Sequence, residues 1–289
     1  MKRVHDARLA GRWYSGDAYA LRRDIEARLE RACPLPHVTP AAVVVPHAGY
    51  MYSGDAAACA YALVRPRKVE RVVILAPSHY ALFRGAVTLD WDGFRTPLGI
   101  VPVDRASVAG LLDLAWVRED PAPFGPEHSL EIQLPFLQVV LPDVPVVPLL
   151  VGEVGKEDAR RWGRELSERW GGETLVVVSS DLTHYGARFD YLPFPPRNAD
   201  SVRGQLQALD GEAIARICLG DFEAFHDFVE ATGATICGRN PITLFLAAHA
   251  RRTSGVLLRY YTSLDVTGDY EHVVSYASIA FPIPPRPQA

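Results

Sequence analysis

Short β-branched runs alternating with amphipathic segments predict an α/β protein, a single-domain three-layer α/β/α fold around a mixed, mostly parallel sheet. Two further observations agree with that class. The 289 residues are 48% hydrophobic, ample material for one large core. No internal repeat or convincing interdomain linker breaks the pattern, and the Pro-rich "YLPFPPRNAD" is short enough to be a surface loop.

Apolar periodicity places a helix over 18–33. The run "AAVVV" gives a strand over 42–45, and after Pro46, His47, Ala48 and Gly49 an Ala-rich helix covers 55–64. Strands over 72–76 and 85–89 come next, then helices over 104–114 and 131–141. The strand over 146–151 contains Pro148, an awkward residue because proline cannot donate to a ladder. A helix over 156–170 leads to the strand over 175–179, and helices follow over 202–217, 222–231 and 241–250. Strands over 256–261 and 273–280 have no helix between them, which predicts an antiparallel pair, and 281–289 reads as an extended tail.

The net charge of −4 and the lack of a long basic run argue against nucleic acid as the main partner. No stretch reaches the roughly 18 apolar residues of a membrane span, and the N-terminus lacks the apolar core of a signal peptide, so no membrane association and a cytoplasmic location are expected. Cys33, Cys59, Cys218 and Cys237 form no C-x-x-C pair, against both a disulfide framework and a cysteine-rich zinc knuckle.

Three strands end in the same unusual way: "VVVPHAGY" at His47, "VVILAPSHY" at His79, and "VVVSSDLTHYG" at Asp181 and His184. Histidine is not a turn former, but it is the commonest metal ligand and titrates near neutral pH. Ligands of open α/β sheets bind outside the carboxyl ends of the strands, so these loops are expected to converge. In "ATICGRNPITLFLAAH", Asn240 reads as an N-cap and Pro241 as the first helical residue, which puts Cys237 where a helix dipole favours a thiolate; a small buried hydrophobe is the competing reading. In "FGPEHSLEIQLPFLQ", Ser129 is a helix cap with Glu131 in the first turn, or else His128 or Glu131 stands beside a metal. His5, His37, His226, His249 and His272 read as non-catalytic.

The segments "PHAGYMYSGDAAACAY", "APSHY", "FRTPLGIVPVD", "EHSLEIQLPF", "VVVSSDLTHYG" and "CGRNPITLFL", spread in order from Pro46 to Leu246, together resemble the Memo family, whose bacterial and archaeal members are described as AmmeMemoRadiSam system protein B. The resemblance implies a LigB-like fold, similar to class III extradiol dioxygenases, which are non-haem Fe(II) enzymes. It implies metal ligands at His47, His79 and Cys237, with Asp181 and His184 beside them for acid–base work. Cys237 stands where those dioxygenases use a carboxylate; a thiolate shifts preference toward copper or zinc while permitting iron. Fe(II) or copper is the expected cofactor, with zinc a further option. Tyr50, His128, Tyr185 and Arg188 are the expected substrate-binding residues, Arg188 suiting an anionic group. The leading expectation is a metal-dependent oxidoreductase acting on an unidentified small molecule or peptide, with a pathway link to a radical-SAM protein. A non-catalytic peptide or phospho-ligand binding module and a zinc hydrolase are the alternatives.

Overall fold

The structure, a computed structural model, describes residues 3–32, 38–65, 67–171, 173–249 and 252–284. Cys33, His37 and the last residues of the expected tail lie outside that set. The strands are β1 (Val4–His5), β2 (Pro40–Val45), β3 (Arg71–Pro77), β4 (Ala86–Thr88), β5 (Gly93–Thr96), β6 (Gly99–Pro102), β7 (Val117–Glu119), β8 (Val146–Val151), β9 (Thr174–Ser179), β10 (His184–Tyr185), β11 (Val256–Thr262) and β12 (Val273–Pro282). The helices are α1 (Ala18–Arg31), α2 (Tyr50–Val64), α3 (Arg105–Leu112), α4 (Leu134–Val140), α5 (Lys156–Ser167), α6 (Ala199–Leu219), α7 (Phe222–Thr232), α8 (Arg239–His249) and α9 (Leu264–Thr267).

Among the described residues the main sheet has nine strands in the order β10-β12-β2-β9-β3-β8-β4-β7, with β11 also paired to β12. Its centre, β2-β9-β3-β8, is parallel, while β12 joins β2 and β4 joins β8 antiparallel. The central strands read as continuous Val/Leu/Ile runs because both faces are covered. Helices α1, α2 and α4 pack together as one layer and α5, α7 and α8 as another. Val43, Val44, Val45, Ile74, Leu75, Val177 and Val178 are buried between them, each contributing about 1.5–3 kcal/mol of transfer free energy. No helix among the described residues is long and apolar enough to cross a membrane.

Several elements differ from the sequence expectation for identifiable reasons. The helix expected over 55–64 starts at Tyr50, because the Trp13 carbonyl accepts from Tyr50 N (2.9 Å) and supplies the cap that Gly49 cannot. The helix expected over 131–141 splits into a 3-10 turn (Glu131–Gln133) and α4, with Pro135 in the first turn of α4. Ser129 is not its cap: its hydroxyl donates to the Pro77 carbonyl. Helix α8 begins at Arg239, so Asn240 is inside the first turn and is not the N-cap. Pro148 is tolerated because its carbonyl accepts from Thr88 Oγ1, so its nitrogen faces β4, whose ladder covers only Leu150 and Val151. The hairpin β5–β6 was not expected, and residues 281–282, assigned to the tail, close β12 instead. The antiparallel pair β11–β12 is present, with the short α9 between its strands.

Candidate metal centre

Strands β2, β9 and β3 are parallel neighbours, with Val45 opposite Ser179 and Leu75 opposite Val178, so their carboxyl ends lie side by side. The chain leaving them carries His47, Asp181 with His184, and His79, and the three loops converge as the sequence led us to expect. Cys237 reaches the same point because Gly238 lies against the end of β9, its N–H donating to Ser180 Oγ (3.1 Å). Ligand-capable atoms of His47, His79 and Cys237 all lie within 4.8 Å of one another. Cys237 Sγ is 3.1 Å from His47 Nε2 and accepts from the Asp181 N–H (3.2 Å).

Each histidine is held by its other ring nitrogen. His47 Nδ1 lies 3.0 Å from Ser179 Oγ, and His79 Nδ1 lies 2.8 Å from Glu127 Oε1. His184 Nδ1 lies 3.0 Å from the carbonyls of both Leu182 and Thr235, which only accept, so Nδ1 carries a hydrogen and the neutral ring has its lone pair on Nε2. His128 stacks on His79 with ring centroids 4.4 Å apart and is covered by Trp13, while its Nδ1 is buried without a hydrogen-bond partner. Asp181 is buried and accepts from the His47 backbone N–H (2.7 Å), tying the β2 and β9 loops together.

Burial, followed by the neighbouring His128 and His79 rings, keeps His47 well below the ordinary imidazole range, so it is neutral. Burial also brings His128 down to about 4, with His79 acting in the same direction. Burial works against ionisation of Glu127, but hydrogen bonds and charge from His79 and backbone N–H groups outweigh it and hold the carboxyl at about 2. For Cys237, burial and then the charge of Asp181 push the thiol well above its ordinary range. The thiolate expected from the helix terminus is therefore overridden in the metal-free protein. A thiolate–imidazolium pair with His47 is disfavoured for the same reason, whereas a cation at the centre would reverse the balance.

The centre opens into a cleft of about 720 Å³ whose walls include His47, His79, His128, Asp181, His184 and Arg188. Tyr52, which the sequence also offered as a pocket residue, and His272 reach it as well, together with Arg12 and Trp13 from the N-terminal segment, neither of which was singled out. Tyr50 and Tyr185 do not line it. The Tyr50 hydroxyl donates to the Ile132 carbonyl between Tyr14 and Phe136, and Tyr185 stacks on Phe194 and donates to its carbonyl. Both are core residues, Tyr50 entering from the first turn of α2 and Tyr185 from β10. Glu131 is not beside the centre either; its carboxylate accepts from Arg8 N, Leu9 N and Tyr14 OH, fastening the segment that carries Trp13.

The fold and the two-histidine, one-cysteine group define an α/β protein with a metal-competent centre at the carboxyl ends of parallel strands. The family profile described as Memo-like protein matches residues 5–280, and the chain belongs to that family. It is 34% identical to the Protein memo-1 homolog of Caenorhabditis elegans over 93% of this chain and 80% of the relative. It is 33% identical to a MEMO1 family protein of Methanopyrus kandleri over 94% and 97%, and 31% identical to Protein MEMO1 of Xenopus laevis over 94% and 95%. Among solved structures, an uncharacterized protein of Escherichia coli K12, JW3007, shares the fold with a TM-score of 0.53 at 16% identity, covering 83% of this chain and 98% of that one.

Proposed function

We propose that the protein is a metal-dependent oxidoreductase, related to non-haem iron extradiol dioxygenases, that holds iron or copper through His47, His79 and Cys237. The observation that carries this reading is the clustering of two imidazoles and a thiol within 4.8 Å at the base of a cleft. The donor set suits a metal: His47 is neutral, and each ligand imidazole is hydrogen-bonded through the nitrogen turned away from the centre. Three protein donors leave positions for substrate or water, and the thiol favours copper or zinc while permitting iron.

Bound there, the metal would supply redox and Lewis-acid chemistry. His184 accepts a substrate proton at its bare Nε2 while the Leu182 and Thr235 carbonyls steady its other nitrogen. Asp181 keeps His47 and Cys237 in register through backbone hydrogen bonds. Arg188 on the cleft wall takes an anionic substrate group.

The test is metal content and O₂ uptake of anaerobically purified protein given Fe(II) or Cu(I), beside Cys237→Ser. Near-stoichiometric metal that is lost in the variant, with metal-dependent O₂ uptake, is the expected result. Occupancy unaffected by Cys237→Ser would overturn the proposal in favour of a ligand-binding module, and zinc-dependent turnover indifferent to O₂ would overturn it in favour of a hydrolase.

A further inference from the structure

Ser179 and Glu127 carry no role in the chemistry above, yet each is buried and each touches the far nitrogen of a ligand histidine. Their hydrogen bonds leave little choice of direction. Ser179 Oγ lies 2.6 Å from the Ser129 carbonyl, which can only accept, so the one hydroxyl proton goes there. Gln133 Nε2 donates to the same oxygen (2.8 Å), and Gln133 is itself oriented by Tyr61 OH on its Oε1 and by the Pro46 carbonyl. With its proton committed, Ser179 Oγ can only accept from His47 Nδ1. Nδ1 of His47 therefore carries the hydrogen, and Nε2 presents its lone pair toward Cys237 Sγ.

Glu127 imposes the same outcome on His79 by a different device. Its two oxygens accept from the His79 backbone N–H (2.6 Å), His79 Nδ1 (2.8 Å), His128 N–H (2.9 Å) and Ser129 N–H (3.0 Å). A carboxylate surrounded by donors has no room for a cation, so although Glu127, His79 and His128 are near enough to hold one, the geometry makes Glu127 an acceptor. In the neutral His79 ring this contact fixes the hydrogen on Nδ1 and leaves Nε2 to face the centre.

We infer that Ser179 and Glu127 are positioning residues which lock His47 and His79 in the Nδ1–H tautomer, so that both ligand lone pairs face the centre before any metal arrives. The lock exists whether or not metal binds; its consequence for affinity rests on the metal reading proposed above. Without it each neutral ring would divide between two tautomers, and a metal would bind only the fraction with Nε2 bare.

The experiment is long-range ¹H–¹⁵N correlation of the imidazoles in metal-free protein, for wild type, Glu127→Gln, Ser179→Ala and Ser179→Thr, followed by Co(II) titration of each. In the wild type His47 and His79 should both be Nδ1–H. Glu127→Gln should release His79 alone, Ser179→Ala should release His47 alone, and Ser179→Thr should restore the His47 signature. Co(II) affinity should fall about 10- to 100-fold in Glu127→Gln and Ser179→Ala. Either ring found as Nε2–H in the wild type, or tautomers unchanged in the variants, would overturn the inference. A wild type in which both rings are Nδ1–H but which binds no Co(II) would leave the lock established and count against the metal reading alone.

Discussion

Gly238→Ala offers a way to move a ligand without altering any ligand. A Cβ at this position would lie 2.3 Å from Ser180 Cβ and Oγ and 2.9 Å from the Ser179 carbonyl oxygen. Reaching ordinary carbon–carbon contact would take a displacement of about 1 Å, and the strand end at Ser179 is fixed by pairing to Val45. The segment bearing Cys237 should therefore give way, carrying Sγ from its place 3.1 Å from His47 Nε2. Overpacking of this kind costs about 1–3 kcal/mol, which should show as a lower urea midpoint with unchanged slope. A ligand misplaced by about 1 Å exceeds the tolerance of about 0.5 Å for a working constellation, so Co(II) affinity should fall by at least about tenfold. Gly211→Ala on the exposed side of α6 is the control: its Cβ meets nothing within 4 Å, and it should stabilise by about 0.5–1 kcal/mol with binding unchanged. Wild-type affinity in Gly238→Ala would refute the reasoning, because the close approach would then have no part in placing Cys237.

Gln133→Leu removes the bonds to Tyr61 OH, the Pro46 carbonyl and Ser179 Oγ, leaving buried partners dry; urea unfolding should show a loss of about 3 kcal/mol, and a loss under about 1 kcal/mol would contradict the role given to this residue. Burial raises the folded-state pKa of Asp210 although Thr183 and Tyr260 donate hydrogen bonds to it. Above the ordinary carboxylate range the folded protein then binds more protons than the unfolded chain, so this group makes stability fall as pH rises. Wild-type stability minus that of Asp210→Asn should therefore decline from about pH 4 upward through the folded pKa, and a rising difference would be contrary. Because burial keeps the Cys237 thiol protonated, calorimetry in buffers of different ionisation enthalpy should find about one proton fewer released per Co(II) near pH 7 in Cys237→Ala than in wild type; equal release would exclude the thiol as a ligand.

The features most visible in the sequence were those that break a local rule. Histidines ending Val-rich strands, at His47 and His79, and the Asp181–His184 stretch after β9 have no turn-forming reason to be there, and they meet because β2, β9 and β3 are parallel neighbours. Cys237 stood out by its place before a helix, although the helix start was assigned two residues too late. Residues that obey local rules stayed hidden. Ser179 looks like the last residue of a strand and Gln133 like helix surface, and only the tertiary contact gives them a part. Glu127 was passed over in favour of Glu131, although it is the acid adjoining His128; which carboxylate turns inward depends on the 3-10 geometry that replaces a regular helix. The hairpin β5–β6 was legible in "TPLG", with Pro97 and Gly99 at turn positions, but its strands are too short for a clear alternation. Trp13 and Arg12 come from a segment with little regular structure, so nothing local tied them to the cleft.

The most direct test of the two-histidine, one-cysteine centre is X-ray absorption at the zinc edge of stoichiometrically loaded protein, with zinc as a redox-silent probe, for wild type and Cys237→Ser. The account expects one sulfur at about 2.3 Å and two imidazole nitrogens at about 2.0–2.1 Å, with the sulfur absent from the variant. A wild-type site of nitrogen and oxygen alone, or a sulfur that persists in Cys237→Ser, would contradict it.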